Sequence, residues 1–251
     1  MQRIIDASDA VVTLSEAGRE RLVRRYQVDP KPVRVIQHGA HLTPSGAEGP
    51  MPGRRPLIVT WGLLGPGKGI EWAIDGLQRL QRLRPLPAYI VAGQTHPVVR
   101  RNDGENYRLR LGQRARAVGV SHLLRFEASY LADAELIRLI RRADVVLVPY
   151  DSREQVSSGV LVEAVAAGKA IVATAFPHAV ELLGDGAGLL VPQFDGAAIG
   201  EALYRVLTEP DLANRLREGA ATKAAALQWP TVAEEYRSLA GTLLANRTAA
   251  I

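Results

Sequence analysis

The sequence predicts an α/β protein built on a doubly wound, parallel, Rossmann-like sheet. Apolar runs recur along the chain as LIVTW (57–61), AYIVAG (88–93), LLRFEA (123–128), VVLVPY (145–150), AIVAT (170–174) and GLLVP (188–192). Amphipathic stretches at helical spacing separate them. The runs are continuous rather than alternating, as strands covered on both faces require. Crossovers in such a sheet are right-handed, and ligands sit at the carboxyl ends of its strands. The loops after 61, 93, 128, 150 and 174 are therefore where function is expected.

The elements follow in order. AVVTL (10–14) reads as a short strand. Ser15 then suits an N-cap, and EAGRERLVRRY reads as an amphipathic helix. VRVIQHG (33–39) reads as another strand. Residues 42–56, which carry TPSGAEGPMPGRRP, have the Pro and Gly content of a linker. Beyond it, helices are expected over 69–83, 104–118, 132–142, 158–168, 195–208, 210–226 and 231–245. The first fifty residues hold too few strands for a core of their own. They read as the end of another α/β domain, in a truncated chain, an incomplete gene model or half of a split protein.

Composition narrows the function classes. The 251 residues are 47% hydrophobic and contain no cysteine, which excludes disulfides, thiolate metal sites and a cysteine nucleophile. The five histidines form no H-E-x-x-H pattern. No apolar run has the roughly 18 residues of a membrane span. The N-terminus lacks a signal-peptide core, so the cytoplasm is the default. A net charge of +5 favours anionic partners: phosphates, nucleotides, nucleic acid or an anionic membrane face. Aromatics are only 5% of the chain, too sparse for a base-stacking nucleic-acid surface.

GLLGPGKG (62–69) follows a strand and precedes a helix. It matches G-x-x-x-x-G-K-[ST] except at Gly69, where a Mg²⁺-binding hydroxyl belongs. Glycines let a backbone approach phosphate, and Lys68 adds a point charge at the helix start. A nucleotide triphosphatase, another phosphate site and an unliganded turn all remain open on these residues. No strand ends in a Walker-B aspartate, because VVLVPYD breaks at Pro149.

A second group lies in DSREQVSSGVLVEAVAAGKAIVAT (151–174). Gln155, Ser157, Ser158 and Gly159 stand where a helix begins beyond a strand end, with Ser157 or Ser158 as N-cap. Glu163 lies one turn inside. It is either a solvated helix glutamate or the carboxylate that accepts two hydrogen bonds from a ribose diol.

The succession G-L-L-x-x-x-K-G-I-E, a V-A-G strand end, ADVVLVPY…EQVSSGVLVEAVAAGKAIVAT…ELLGDGAGLLVP and W-P-x-V-A-E-E-Y resembles the donor-binding C-terminal half of GT-B glycosyltransferases. It is most similar to the family 4 retaining enzymes, the glycosyl transferases group 1, from residue 54 to about 245. ADAVVTLSEAGRERL…VRVIQHGAH resembles the end of that family's N-terminal domain. The resemblance implies two parts: 1–50, a remnant of the acceptor domain with the interdomain linker, and 51–251, the nucleotide-sugar-binding domain.

It also implies roles. Lys68, in the loop that opens at Gly62, would contact the donor diphosphate. Glu163 matches the second glutamate of E-x7-E, which binds ribose. The first glutamate, which contacts the sugar, falls at Gln155 beside Glu154. An E-Q-x-S-S/T-G variant occurs in similar sequences, so the Gln155 amide is the expected sugar ligand and, with Lys68, a catalytic residue. Leu63 stands where an arginine is usual. Backbone N–H groups of Ser157, Ser158 and Gly159 are expected to compensate. The base would lie near the loop after 123–128, where Tyr130 is either its neighbour or a packing residue. His38 approaches the cleft or stiffens the linker.

The implied reaction is metal-independent, retaining transfer from a UDP- or GDP-linked sugar to an unknown acceptor, with no cofactor. The expected location is cytoplasmic, with peripheral association at the inner membrane face. The missing N-terminal domain or a partner chain would supply the acceptor site. The alternatives are a donor-binding module inactive alone, and a GT-B epimerase or phosphorylase.

Overall fold

A computed structural model describes residues 2–29, 32–42, 44 and 53–249. Of the expected linker over 42–56, residues 43 and 45–52 lie outside the described residues.

Six parallel strands form one sheet: β3 (Leu57–Trp61), β4 (Ala88–Ala92), β5 (Leu124–Glu127), β6 (Val145–Val148), β7 (Ala170–Thr174) and β8 (Leu189–Val191). Their order is β5-β4-β3-β6-β7-β8. The chain builds outward from β3 to β5, then returns to lay β6 on the other side of β3. The helix after β3 packs into one face cluster and the helix after β6 into the other, so the winding reverses at this pair of strands, the usual ligand position in an open parallel sheet.

Both faces of the sheet are buried, which is why its strands read as unbroken apolar runs. Val59, Trp61, Val146, Val148, Ile171 and Ala173 face one hydrophobic cluster. Ile58, Tyr89, Val91, Val145, Leu147 and Val172 face the other. Thr60 tolerates burial because its hydroxyl donates to the Leu147 carbonyl at 2.6 Å and meets the Tyr89 hydroxyl at 2.9 Å. Burial pushes the Tyr89 phenol above its ordinary pKa.

The helices α3 (Ile70–Leu80), α5 (Asn106–Ala117), α6 (Asp133–Arg142), α7 (Gly159–Ala166), α9 (Gly196–Thr208), α10 (Pro210–Ala224) and α11 (Trp229–Ala249) match the expected ones. Three further short helices escaped the sequence reading: α1 (Gln2–Asp6), α4 (Pro97–Asp103) and α8 (Pro177–Leu183). Each has under two or barely two turns, too few for a helical period to declare itself. Pro97 and Pro177 sit in the first turns of their helices, where the missing N–H costs nothing.

Near the N-terminus, β1 (Val11–Thr13) pairs in parallel with β2 (Val33–Val35). Between them runs α2 (Glu16–Tyr26). Ser15 caps α2 by accepting from the Gly18 N–H at 2.9 Å. The Glu181 carboxylate accepts from the Glu16 and Ala17 N–H groups at 2.9 and 3.0 Å, tying α2 to α8. The strand expected over 33–39 stops at Val35. Ile36 N–H still donates to Thr13 O at 3.0 Å, but by residue 40 the chain pairs elsewhere: Ala40 N–H donates to Leu227 O at 2.7 Å and Trp229 N–H to Ala40 O at 3.3 Å. The Trp229 ring lies so close to Gly39 that a Cβ there would approach it to 2.3 Å. The W-P segment thus clamps the stretch that carries His38.

Candidate functional site

The site is built where β3 and β6 part. Gly69 is the N-cap of α3 with φ +62°, and a Cβ on it would lie 1.8 Å from the Pro149 carbonyl oxygen. Backbone, not a flexible side chain, fills that space, so no serine or threonine fits. The Mg²⁺-binding hydroxyl of a triphosphatase loop is excluded by this packing. On the neighbouring edge, Gly93 has φ +131°, and a Cβ there would meet Gly62 O at 2.1 Å. The carboxyl ends of β3 and β4 consequently touch, and Gly62 N–H donates to Ala92 O at 3.0 Å.

Lys68 reaches over to the loop after β6. Its ammonium donates to the Tyr150 hydroxyl at 3.0 Å and lies 4.1 Å from the Tyr150 ring centroid. Tyr150 is buried and stacks on Phe176, with centroids 5.1 Å apart. The loop after β6 is held from several sides. Gln193 donates its side-chain N–H groups to the Tyr150 and Ser152 carbonyls at 3.1 and 3.2 Å. Trp72 donates its indole N–H to Asp151 at 3.1 Å.

Glu163, on α7, accepts the Trp61 indole N–H at 3.1 Å. It is therefore anchored from the end of β3 and is not a solvated helix glutamate. Ser158 is the N-cap of α7, its hydroxyl accepting from the Leu161 N–H at 3.2 Å. Its own N–H donates to His178 Nδ1 at 2.9 Å, so that group is occupied rather than open to a ligand as the sequence suggested. The N–H groups of Ser157, Gly159 and Val160 have no acceptor among the described residues. Those of Gly159 and Val160 are orphan donors of a helix start, at the positive end of its dipole. Val160 lies against the β3 end, 3.4 Å from the place of a Cβ on Gly62.

His178 is 1% exposed. Burial holds its pKa below the ordinary histidine value, and nearby His38 adds to this while Glu181 opposes it. Its Nδ1 is an acceptor, as a neutral ring allows. His38 lies beside the same helix start: its Cε1–Nε2 edge is 3.5 Å from the place of a Cβ on Gly159. Its ring also lies against Trp229, centroids 5.4 Å apart.

The remaining expected residues are placed less openly. Gln155 folds its carboxamide back, donating to the Ser157 carbonyl. Glu154 forms an ion pair with Arg21, which holds its carboxyl below the usual carboxylate range. Its side chain is turned toward α2. Tyr130 is 74% exposed, so burial does not account for it. With Trp61, Leu63, Gly93, Gln94 and Asp133 it lines a cleft of about 130 Å³ at the β3 and β4 ends.

Trp61, Tyr150 and His178 were not singled out from the sequence. Trp61 and Tyr150 each carry a polar atom at the carboxyl end of a strand flanking the switch point, which is the signal that marks them. For His178 only the fold brings residue 178 to residue 158.

The family model for glycosyl transferases group 1 matches residues 47–223. The chain belongs to this family. Group 1 relatives include D-inositol 3-phosphate glycosyltransferases from Corynebacterium jeikeium and Streptomyces bingchenggensis, both 28% identical to this chain. The matches cover 95% and 92% of this chain but 58% and 52% of the relatives. The chain thus spans little more than half their length. In fold the group 1 chain is similar to sucrose-phosphate synthase from Thermosynechococcus elongatus, with TM-score 0.78, 24% identity, and coverage of 98% of this chain and 61% of that one. It is also similar to Anabaena Alr3699/HepE in complex with UDP and glucose, with TM-score 0.78, 17% identity, and coverage of 96% and 68%. The sheet is accordingly that of a GT-B C-terminal domain.

Proposed function

We propose that this chain is the donor-binding half of a retaining, family 4-like glycosyltransferase, acting on a nucleoside-diphosphate sugar. The observation that carries the proposal is the arrangement at the switch point. Lys68 reaches Tyr150 beyond the end of β6, Glu163 is tied to Trp61 at the end of β3, and the unclaimed N–H groups of Gly159 and Val160 open α7, whose Val160 lies against Gly62. A cation and helix-start N–H groups suit a diphosphate. A carboxylate one turn further in suits a ribose diol.

Cleavage of the sugar–phosphate bond builds negative charge on the leaving diphosphate. Lys68 and the α7 N–H groups stabilise that charge, and stabilisation aimed at developing charge is what lowers a barrier. In this proposal the charge is carried without a metal. Gln155 binds the sugar after turning away from Ser157 O, and the Tyr130 cleft takes the base. The UDP and UDP-glucose complexes of the similar Anabaena protein favour a uridine donor. Residues 1–50 act as the end of an acceptor domain. The proposal sets the reaction in the cytoplasm, near an anionic membrane face that a +5 chain favours. No helix among the described residues is long and apolar enough to cross a membrane.

A second reading is a donor-binding module that needs a partner chain for chemistry. A thermal-shift panel of UDP, GDP, ADP and their sugars tests the shared premise, since ligand binding raises apparent stability by mass action. Stabilisation by one base class with and without Mg²⁺ supports it. No stabilisation by any of them refutes it. Sugar release with time from the bound nucleotide sugar then separates the enzyme from the module.

A further inference from the structure

We propose that Tyr150 is the positioning residue for Lys68, holding its ammonium ready for the donor diphosphate. The inference rests on the donor-site reading above and extends it to a residue outside the motifs that led there. Three observations carry it. First, Lys68 meets Tyr150 twice, through a 3.0 Å hydrogen bond to the hydroxyl and with its ammonium 4.1 Å from the ring centroid. Second, Tyr150 has little freedom. It is 1% exposed, stacked on Phe176, and its carbonyl accepts from Gln193 at 3.1 Å. Third, Lys68 has no carboxylate ion pair among the described residues, so an aromatic face and a neutral hydroxyl are what hold it.

The chemistry of that choice matters. A carboxylate partner would neutralise the ammonium and compete with an incoming phosphate. A phenol and a π-face fix its position while leaving its charge uncompensated. A lysine ammonium carries three donors. Tyr150 takes one, and two stay available for phosphate oxygens. A long flexible side chain held in place before binding loses less entropy when the ligand arrives. Tyr150 therefore acts through Lys68, on the diphosphate and not on the base.

The test is calorimetric titration of UDP, GDP and ADP into wild type, Tyr150→Phe, Lys68→Met and the double variant, with uridine, guanosine and adenosine as controls. Tyr150→Phe keeps the ring and its stacking, and its melting temperature confirms that the fold survives. The expected result is a loss of roughly threefold to tenfold in diphosphate affinity, the range of one net hydrogen bond. Nucleoside affinity stays unchanged, and Tyr150→Phe costs nothing further once Lys68 is Met. An equal loss in both Lys68 backgrounds, or no loss in either, overturns the role of Tyr150 while leaving the donor site standing. Failure of wild type to bind any of the diphosphates overturns the donor reading and this inference with it.

Discussion

Trp61, the last residue of β3, donates its indole N–H to Glu163 on α7 across 3.1 Å, and so ties the end of β3 to the helix that follows β6. A glutamate on an apolar helix face is held there at a fixed height above the sheet. Glu163→Gln keeps the bulk but loses the anionic acceptor. It is expected to weaken nucleoside-diphosphate binding roughly tenfold, in line with hydrogen bonds to a charged group. The loss should shrink for a 2′-deoxy nucleotide, measured by the same titration. An equal loss for ribo and deoxyribo ligands would remove Glu163 from the ribose.

Gly69→Ser rebuilds the missing P-loop hydroxyl in sequence only. The residue sits at φ +62° with the Pro149 carbonyl 1.8 Å from the Cβ position. The expected outcome is destabilisation of at least about 2 kcal/mol, from left-handed strain and from displaced backbone. No Mg²⁺-dependent ATP binding should appear. Urea unfolding and titration with MgATP check the two halves separately.

His178 gives a pH dependence. Its folded pKa lies below the unfolded value, so the unfolded chain binds more protons as pH falls. The stability it contributes is full above an unfolded pKa of about 6.5 and is lost progressively below it. Wild type should therefore lose stability between pH 7.5 and 5.5 in urea unfolding. In His178→Asn, which lacks the titrating ring, that slope should be smaller, whatever its absolute stability. An unchanged slope would show that His178 does not carry the effect.

Gln155→Ala should weaken nucleotide-sugar binding more than binding of the free nucleoside diphosphate. The amide has to leave the Ser157 carbonyl to reach a ligand, so its gain comes only when a sugar is present. Parallel titrations with UDP and UDP-glucose, or the pair of whichever base binds, make the comparison. Equal effects would mean that Gln155 does not touch the sugar.

Much of this was legible in the sequence because burial on both faces writes itself as unbroken apolar runs. LIVTW and AIVAT coincide with β3 and β7, residue for residue. Lys68 stood out because it closes a glycine-rich loop between a strand and a helix, and Glu163 because it matches the second glutamate of the family's E-x7-E pattern. What stayed hidden depends on contacts between distant segments. The end of β2 was overrun because nothing local says that Ala40 pairs with residues 227 to 229. The pairing of Glu154 with Arg21, 133 positions away, is likewise invisible in the residues around 154. Ser158 N–H looked open until His178 was found beside it. Gly69 is the instructive case: locally it resembled a defect, and only the approach of Pro149 shows that nothing larger fits.

The central claim is that Lys68 and the α7 start receive a donor diphosphate without a metal. Titration of UDP, GDP and ADP into wild type and Lys68→Ala, both in excess EDTA, tests it most directly. The expected result is saturable one-to-one binding of at least one diphosphate by wild type, weakened about tenfold or more in the variant. Binding that requires Mg²⁺, or equal affinity in the two proteins, would contradict it.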